Sequence, residues 1–182
     1  MTKSYALITG ASSGIGLEIA KNLAKRGYNL ILTARRKDLL ENLSKEIKHN
    51  CNVDVDFISN DLSKYDAPAE IYNYCESKNY KVDLLVNNAG YGIKTSFHTT
   101  SVEDEEAFIR VLGTSVIMLT KLFIPNMIET QIPGLEVCKR AGSVVFNKAK
   151  YTNLKETESR VIAAITGARR PILRRFPALK RN

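Results

Sequence analysis

Residues 9–16, Thr9-Gly10-Ala11-Ser12-Ser13-Gly14-Ile15-Gly16, place three glycines and two serines between a short apolar run and a helical apolar stripe. Glycines let backbone approach a phosphate closely, and a helix starting there offers free N–H groups and the positive end of its dipole. Gly10, Ser12, Ser13, Gly14, Ile15 and Gly16 are therefore expected to cradle a pyrophosphate. The strand before and the helix after separate this string from an ordinary glycine turn. A second group closes the next apolar run, where Ala34-Arg35-Arg36 carries no acid before Asp38. An acid there would grip ribose hydroxyls, whereas two guanidiniums suit a ribose 2′-phosphate, because arginine forks onto phosphate oxygens. Arg35 and Arg36 thus favour NADP(H) over NAD(H), the plainer alternative being two solvated arginines at a helix start.

The elements that must hold these groups follow from apolar spacing. Tyr5–Thr9 reads as a buried strand, and Ile15, Ile19, Ala20, Leu23 and Ala24 mark a helix that Gly27 stops in the left-handed conformation. Asn29–Thr33 is a second strand, and Leu39, Leu40, Leu43 and Ile47 mark a second helix. Val53, Val55 and Phe57 alternate with Asp54 and Asp56 as a half-buried third strand. A helix through Ile71 and Tyr74, a continuous apolar strand Val82–Val86 and a long helix from about Glu103 to Met127 follow. Strand and helix alternating at this spacing predict an α/β fold, a Rossmann-like doubly wound parallel sheet. Beyond Pro133 the pattern weakens: Ser143–Phe146 suits a strand and Glu156–Ile165 a helix, before Arg-Arg-Pro and Arg-Arg-Phe-Pro interrupt.

Asp61-Leu62 follows the third strand and Asn87-Asn88-Ala89-Gly90 the fourth. With the Gly-x-x-x-Gly-x-Gly string, and with Leu119-Thr120-Lys121 and Pro125-Asn126-Met127 as a long helix and its exit, residues 3–130 resemble the short-chain dehydrogenase/reductase family. The resemblance implies that Asp61, with Leu62, holds the adenine edge, and that Asn88, Ala89 and Gly90 pack beneath adenosine and brace the sheet. It implies hydride transfer between NADP(H) and a carbonyl or alcohol, with ketoacyl, steroid or similar apolar carbonyls as the substrate class. It also implies a homodimer through the 103–127 helix.

The family's chemistry needs a Tyr as proton donor and a Lys four residues later. A phenol near pKa 10 works at neutral pH only when positive charge stabilises its anion. A Ser to polarise the carbonyl and an Asn on the long helix complete the set. Aligned on Leu119-Thr120-Lys121, the Asn position falls on Leu112, beside Gly113. Tyr-x-x-x-Lys occurs as Tyr74/Lys78, in an early helix on the wrong side, and as Tyr151/Lys155. Eight tyrosines and sixteen lysines in 182 residues make such pairs expected by chance. Tyr151 lies at the family's usual distance from Asn87-Asn88-Ala89-Gly90, with Gly142–Phe146 as the strand before it, though Asn147-Lys148 stands where Ser-Ser should end that strand. On a second reading, Val137–Tyr151 is similar to the family's C-terminal helix and lysine-rich turn, so the sheet is truncated on its C-terminal side and the Ser-Tyr-Lys segment is missing. The chain is then a catalytically impaired nucleotide-binding module. A third reading makes the tail unrelated.

Composition bounds the rest. A 44% apolar and 25% charged chain is an ordinary globular one, and 182 residues suit one domain. Residues 1–132, the NADP-binding domain, carry fifteen Lys+Arg against sixteen acids, whereas residues 133–182 carry twelve against three, so the whole net charge of +8 sits in a basic C-terminal segment. That segment reads as a solvated end or a flank of the same domain. It lacks the aromatic interleaving of a nucleic-acid binder, and no nucleic-acid partner is expected. The apolar run Val116–Ile124 is broken by Thr120 and Lys121, so no membrane span is expected. Three scattered cysteines, Cys51, Cys75 and Cys138, suit neither a disulfide framework nor a metal site, and point to a reducing cytoplasm.

Overall fold

A computed structural model describes residues 3–93 and 95–129. Four parallel strands, β1 (Ser4–Thr9), β2 (Asn29–Ala34), β3 (Val55–Ser59) and β4 (Lys81–Val86), lie in the order β3-β2-β1-β4. The chain steps outward from β1 to β3, then returns to set β4 on the other side of β1. A crevice therefore opens at the carboxyl ends of β1 and β4, where the strand order reverses. The doubly wound α/β reading holds. The Tyr151/Lys155 pair, the Ser143–Phe146 strand and the Glu156–Ile165 helix lie outside the described residues.

The strands carry near-continuous apolar runs because both faces are covered. On one face α1 (Gly14–Lys25) and α2 (Lys37–Asn50) bury Ala20, Leu23, Leu40 and Ile47 against Ala6, Ile8, Leu30 and Leu32. On the other, α3 (Ala67–Ser77) and α5 (Ser115–Glu129) bury Ile71, Leu119, Phe123 and Met127 against Leu7, Ile31 and Leu85. Gly27, at φ +82°, ends α1 as the spacing predicts: its N–H reaches the Ala24 carbonyl at 2.9 Å, and the Tyr28 N–H reaches that of Leu23 at 3.1 Å.

The long helix departs from expectation in one respect. It comprises α4 (Val102–Ile109), a π-helical turn (Arg110–Thr114) and α5. The wide turn inserts extra backbone, so counting back along a regular helix from Leu119 misplaces the side chains before it. Ser115 answers the distortion locally, donating its hydroxyl to the Val111 carbonyl at 2.9 Å. α5 runs through Pro125 to Glu129, within two residues of the expected end at Met127. The most apolar 18-residue stretch within Val102–Met127 has a mean hydropathy of 1.8, so by length and composition alone this helix could cross a membrane. Its burial of Leu119, Phe123 and Met127 against the sheet supplies a core-helix reason for that apolarity.

Candidate functional site

A cleft of about 430 Å³ opens over the carboxyl ends of the strands. Its floor on one side is the loop after β1, where Gly10, Ser12, Ser13, Gly14 and Ile15 all face it. The loop is held by backbone: the Ala11 N–H donates to the Thr33 carbonyl at 3.2 Å, tying it to β2. The helix α1 then begins at the cleft with no side chain capping its N–H groups and no acid in its first turn. Its dipole and free donors are thus directed at whatever the cleft holds.

Opposite the loop stands the turn after β4, which Thr9 sews to β1. The Thr9 hydroxyl accepts from the Asn88 and Ala89 N–H groups, both at 2.9 Å, and donates to the Val86 carbonyl at 3.3 Å. Asn88 returns the tie, its amide donating to the carbonyls of Thr9 at 3.0 Å and Gly10 at 3.4 Å. Two glycines make this approach possible. A Cβ at Gly10 would sit 2.8 Å from the Ala89 Cα, and one at Gly16 would sit 2.4 Å from both the Asn88 amide nitrogen and the Gly10 carbonyl oxygen. Gly16 is buried and does not line the cleft. It lets the helix start pack under the loop, a different task from the phosphate contact expected of it.

The third wall comes from the ends of β2 and β3. Arg35 and Arg36 line it, and Asp61 and Leu62 stand across from them. Arg36 donates to the hydroxyls of Ser12 at 3.1 Å and Ser13 at 2.8 Å, so its guanidinium bridges from the β2 end to the glycine loop while staying exposed. Asn88, Ala89 and Gly90 complete the expected set around the cleft. Sequence reasoning missed Thr33, Asn60, Tyr91 and Val111, which also line it. Thr33 and Asn60 neighbour residues already singled out, whereas Val111 lies in the π turn. Leu112, on which the family's Asn position falls, does not line the cleft, whereas its neighbour Val111 does.

Tyr74 and Lys78 take no part in this site. The Tyr74 and Tyr80 hydroxyls both donate to the Asp56 carboxylate, at 2.7 and 2.8 Å, and Lys78 lies 5.9 Å from the Tyr74 ring centre. Burial works against the Asp56 charge, yet these two phenols and the Phe57 N–H hold its carboxyl below the usual range. Burial, reinforced by Asp56, pushes both phenols well above theirs. Asp56, on the polar side of the half-buried β3 alternation, lies on the α3 side among tyrosines. Among the described residues no group of His, Cys, Asp and Glu could hold a metal ion.

The model of the short chain dehydrogenase family matches residues 4–153. The chain belongs to the short-chain dehydrogenase family. The match includes Tyr151 and stops short of Lys155. The very-long-chain 3-oxoacyl-CoA reductase of Kluyveromyces lactis is 37% identical over 128 residues, covering 68% of this chain and 36% of that protein. The one from Vanderwaltozyma polyspora is 32% identical over 170 residues, covering 91% of this chain and 47% of its own. Among solved structures, an alcohol dehydrogenase from Thermococcus sibiricus complexed with 5-hydroxy-NADP matches with a TM-score of 0.65 and 35% identity, over 71% of this chain and 55% of that one. A metagenomic short-chain oxidoreductase in complex with NADP matches at TM-score 0.66 and 32% identity, over 72% and 59%. This short-chain dehydrogenase chain thus spans roughly a third to a half of the curated relatives' length and somewhat over half of these solved ones.

Proposed function

We propose that this chain binds NADP(H) in the cleft over β1 and β4 and serves hydride transfer with a carbonyl or alcohol substrate. The observation that carries the reading is Arg36, held across Ser12 and Ser13 at a β2 end where no carboxylate stands. The cleft fits the group: Gly10 and Gly16 keep the walls close, the uncapped start of α1 suits a pyrophosphate, and Arg35 and Arg36 suit a ribose 2′-phosphate. When bound, the dinucleotide supplies or accepts the hydride. Asp61 and Leu62 would hold the adenine edge, and Ala89 and Gly90 would pack beneath the adenosine. The reductase names of the relatives support a 3-oxoacyl or similar apolar ketone as substrate. Tyr151 would donate the proton to the carbonyl oxygen, with Lys155 lowering its pKa. The test is a fluorescence titration of the full chain with NADPH and NADH. Tighter binding of NADPH, and a gap narrowed or reversed by Arg35→Asp, is the expected result; equal affinities overturn the reading.

One observation favours a second reading, a dinucleotide-holding module with little turnover. Where the family places an Asn on its long helix, this chain has Leu112 and presents Val111 to the cleft, and neither relays a proton. Losing one polarising donor costs about 10²–10³ in rate, by analogy with oxyanion-hole deletions. NADPH oxidation against 3-oxoacyl thioesters, ketosteroids and simple ketones, run beside Tyr151→Phe, separates the two. Slow or absent turnover supports the module, and robust turnover abolished by the substitution supports the enzyme with Tyr151 as its acid.

Pairing of two copies through the 103–127 helix is proposed on the resemblance. It is supported by Ile109 and Ile117, which are 62% and 61% exposed on that helix. Sedimentation of the full chain beside Ile117→Lys tests it: a dimer that the lysine dissociates supports the pairing.

A further inference from the structure

Thr33 is the penultimate residue of β2, on the face it shares with Ile31 and in register with Thr9 on β1 and Ile58 on β3. It is 1% exposed, it lines the cleft, and its hydroxyl oxygen has no hydrogen-bond partner among the described residues. That is unlike its neighbour. Thr9, one strand over, spends its hydroxyl on three backbone groups. A buried hydroxyl with no partner is costly, and one kept at the wall of a cleft has a partner waiting in what the cleft binds. Around Thr33 the cleft wall is made by Arg35, Arg36, Asn60, Asp61 and Leu62, the end assigned to adenosine.

We infer that the Thr33 hydroxyl makes a hydrogen bond to the adenosine moiety of the dinucleotide, and so is a positioning residue for that half of the cofactor. This rests on the dinucleotide reading above. It predicts effects of opposite sign in the free and bound protein. Thr33→Val keeps the shape and removes the orphaned group, so the free chain should melt at the same temperature or higher. Its affinity for NADPH should fall about tenfold, which is about 1.4 kcal/mol. Adenosine 2′,5′-bisphosphate should lose the same factor, because it carries only the adenosine end, and Thr33→Ser should retain most of the affinity.

The experiment is calorimetric titration of the full chain, wild type, Thr33→Val and Thr33→Ser, with NADPH and with adenosine 2′,5′-bisphosphate, beside thermal melts without ligand. Equal affinities of wild type and Thr33→Val overturn the inference. So does a Thr33→Val chain that melts lower without ligand, because the hydroxyl then has a partner within the protein. A wild type that binds NADPH but shows the Thr33→Val loss only with NADPH, not with the bisphosphate, also overturns it. A wild type that binds neither compound overturns the underlying dinucleotide reading and this inference with it.

Discussion

Two polar regions flank the same sheet, and they are built on opposite principles. At the carboxyl ends of the strands, polar groups face a cleft: α1 starts without a side-chain cap, Arg36 rests on the Ser12 and Ser13 hydroxyls, and the Thr33 hydroxyl is left over. On the α3 flank, polar groups close on one another: Asp56 takes two phenols, and Tyr80 stacks on Tyr5 at 4.4 Å. Burying polar groups is tolerable only when they are paired, so the flank contributes stability. The cleft forgoes some of that stability and keeps donors for a ligand. The comparison teaches where to look for function in a sheet of this kind, namely where satisfaction is incomplete although the backbone is held firmly.

The comparison breaks most visibly at Gly16. An added methyl in Gly16→Ala meets the Gly10 carbonyl oxygen at 2.4 Å, and that backbone atom is pinned by the Asn88 amide. A loss of about 3 kcal/mol is expected, as for overpacking a tight core, together with loss of NADPH binding. Urea melts and a fluorescence titration check both. A variant of unchanged stability that binds normally would mean that the loop and the helix start are not rigidly coupled.

Asp56→Ala should cost about 2 kcal/mol at neutral pH, because two part-buried phenols lose their acceptor, and it should leave NADPH affinity unchanged. The pH dependence has a definite sign. A carboxyl held below its ordinary value in the folded state stabilises the protein above that ordinary value, near 3.9, and the benefit fades as pH falls through the folded value. Wild type and variant should therefore converge in stability as acid is added. A gap that widens toward low pH would contradict the pairing.

Arg36→Ala removes the guanidinium from the cleft mouth and should weaken NADPH about tenfold while leaving NADH nearly unchanged, with little effect on the melt because the side chain is exposed. Equal losses for the two cofactors would move Arg36 from 2′-phosphate recognition to loop support. The smallest effect concerns cysteine. Burial pushes the Cys75 thiol up to about 12, so it should react with a maleimide far more slowly than Cys51, which is partly exposed. Peptide mapping after brief labelling reads the order, and early labelling of Cys75 would show that the α3 flank opens easily.

Much of this was legible without coordinates. The order of strands and helices follows from periods of two and 3.6 and from turn residues, and those are local properties. The glycine string announced a cradle because strand, glycine turn and helix adjoin in sequence. The long helix was misread where regularity was assumed, since nothing local to Arg110–Thr114 announces a wide turn. The tyrosines around Asp56 were not legible, because alternation says only that a side chain points away from its neighbours, not what covers that side.

By itself, then, the sequence determined the kinds of group that gather at the cleft and the elements that carry them, because local periodicity and turn chemistry set both. Tertiary packing alone decided how they divide the work. Gly16 turned out to support rather than line the cleft, Arg36 turned out to bridge to the serines, and Val111 rather than Leu112 came to face the site. It also left Thr33 buried with a free hydroxyl while Thr9 was satisfied. The Gly16–Asn88, Arg36–Ser12 and Thr9–Asn88 approaches join segments that lie far apart in the chain, and no window of neighbouring residues contains them.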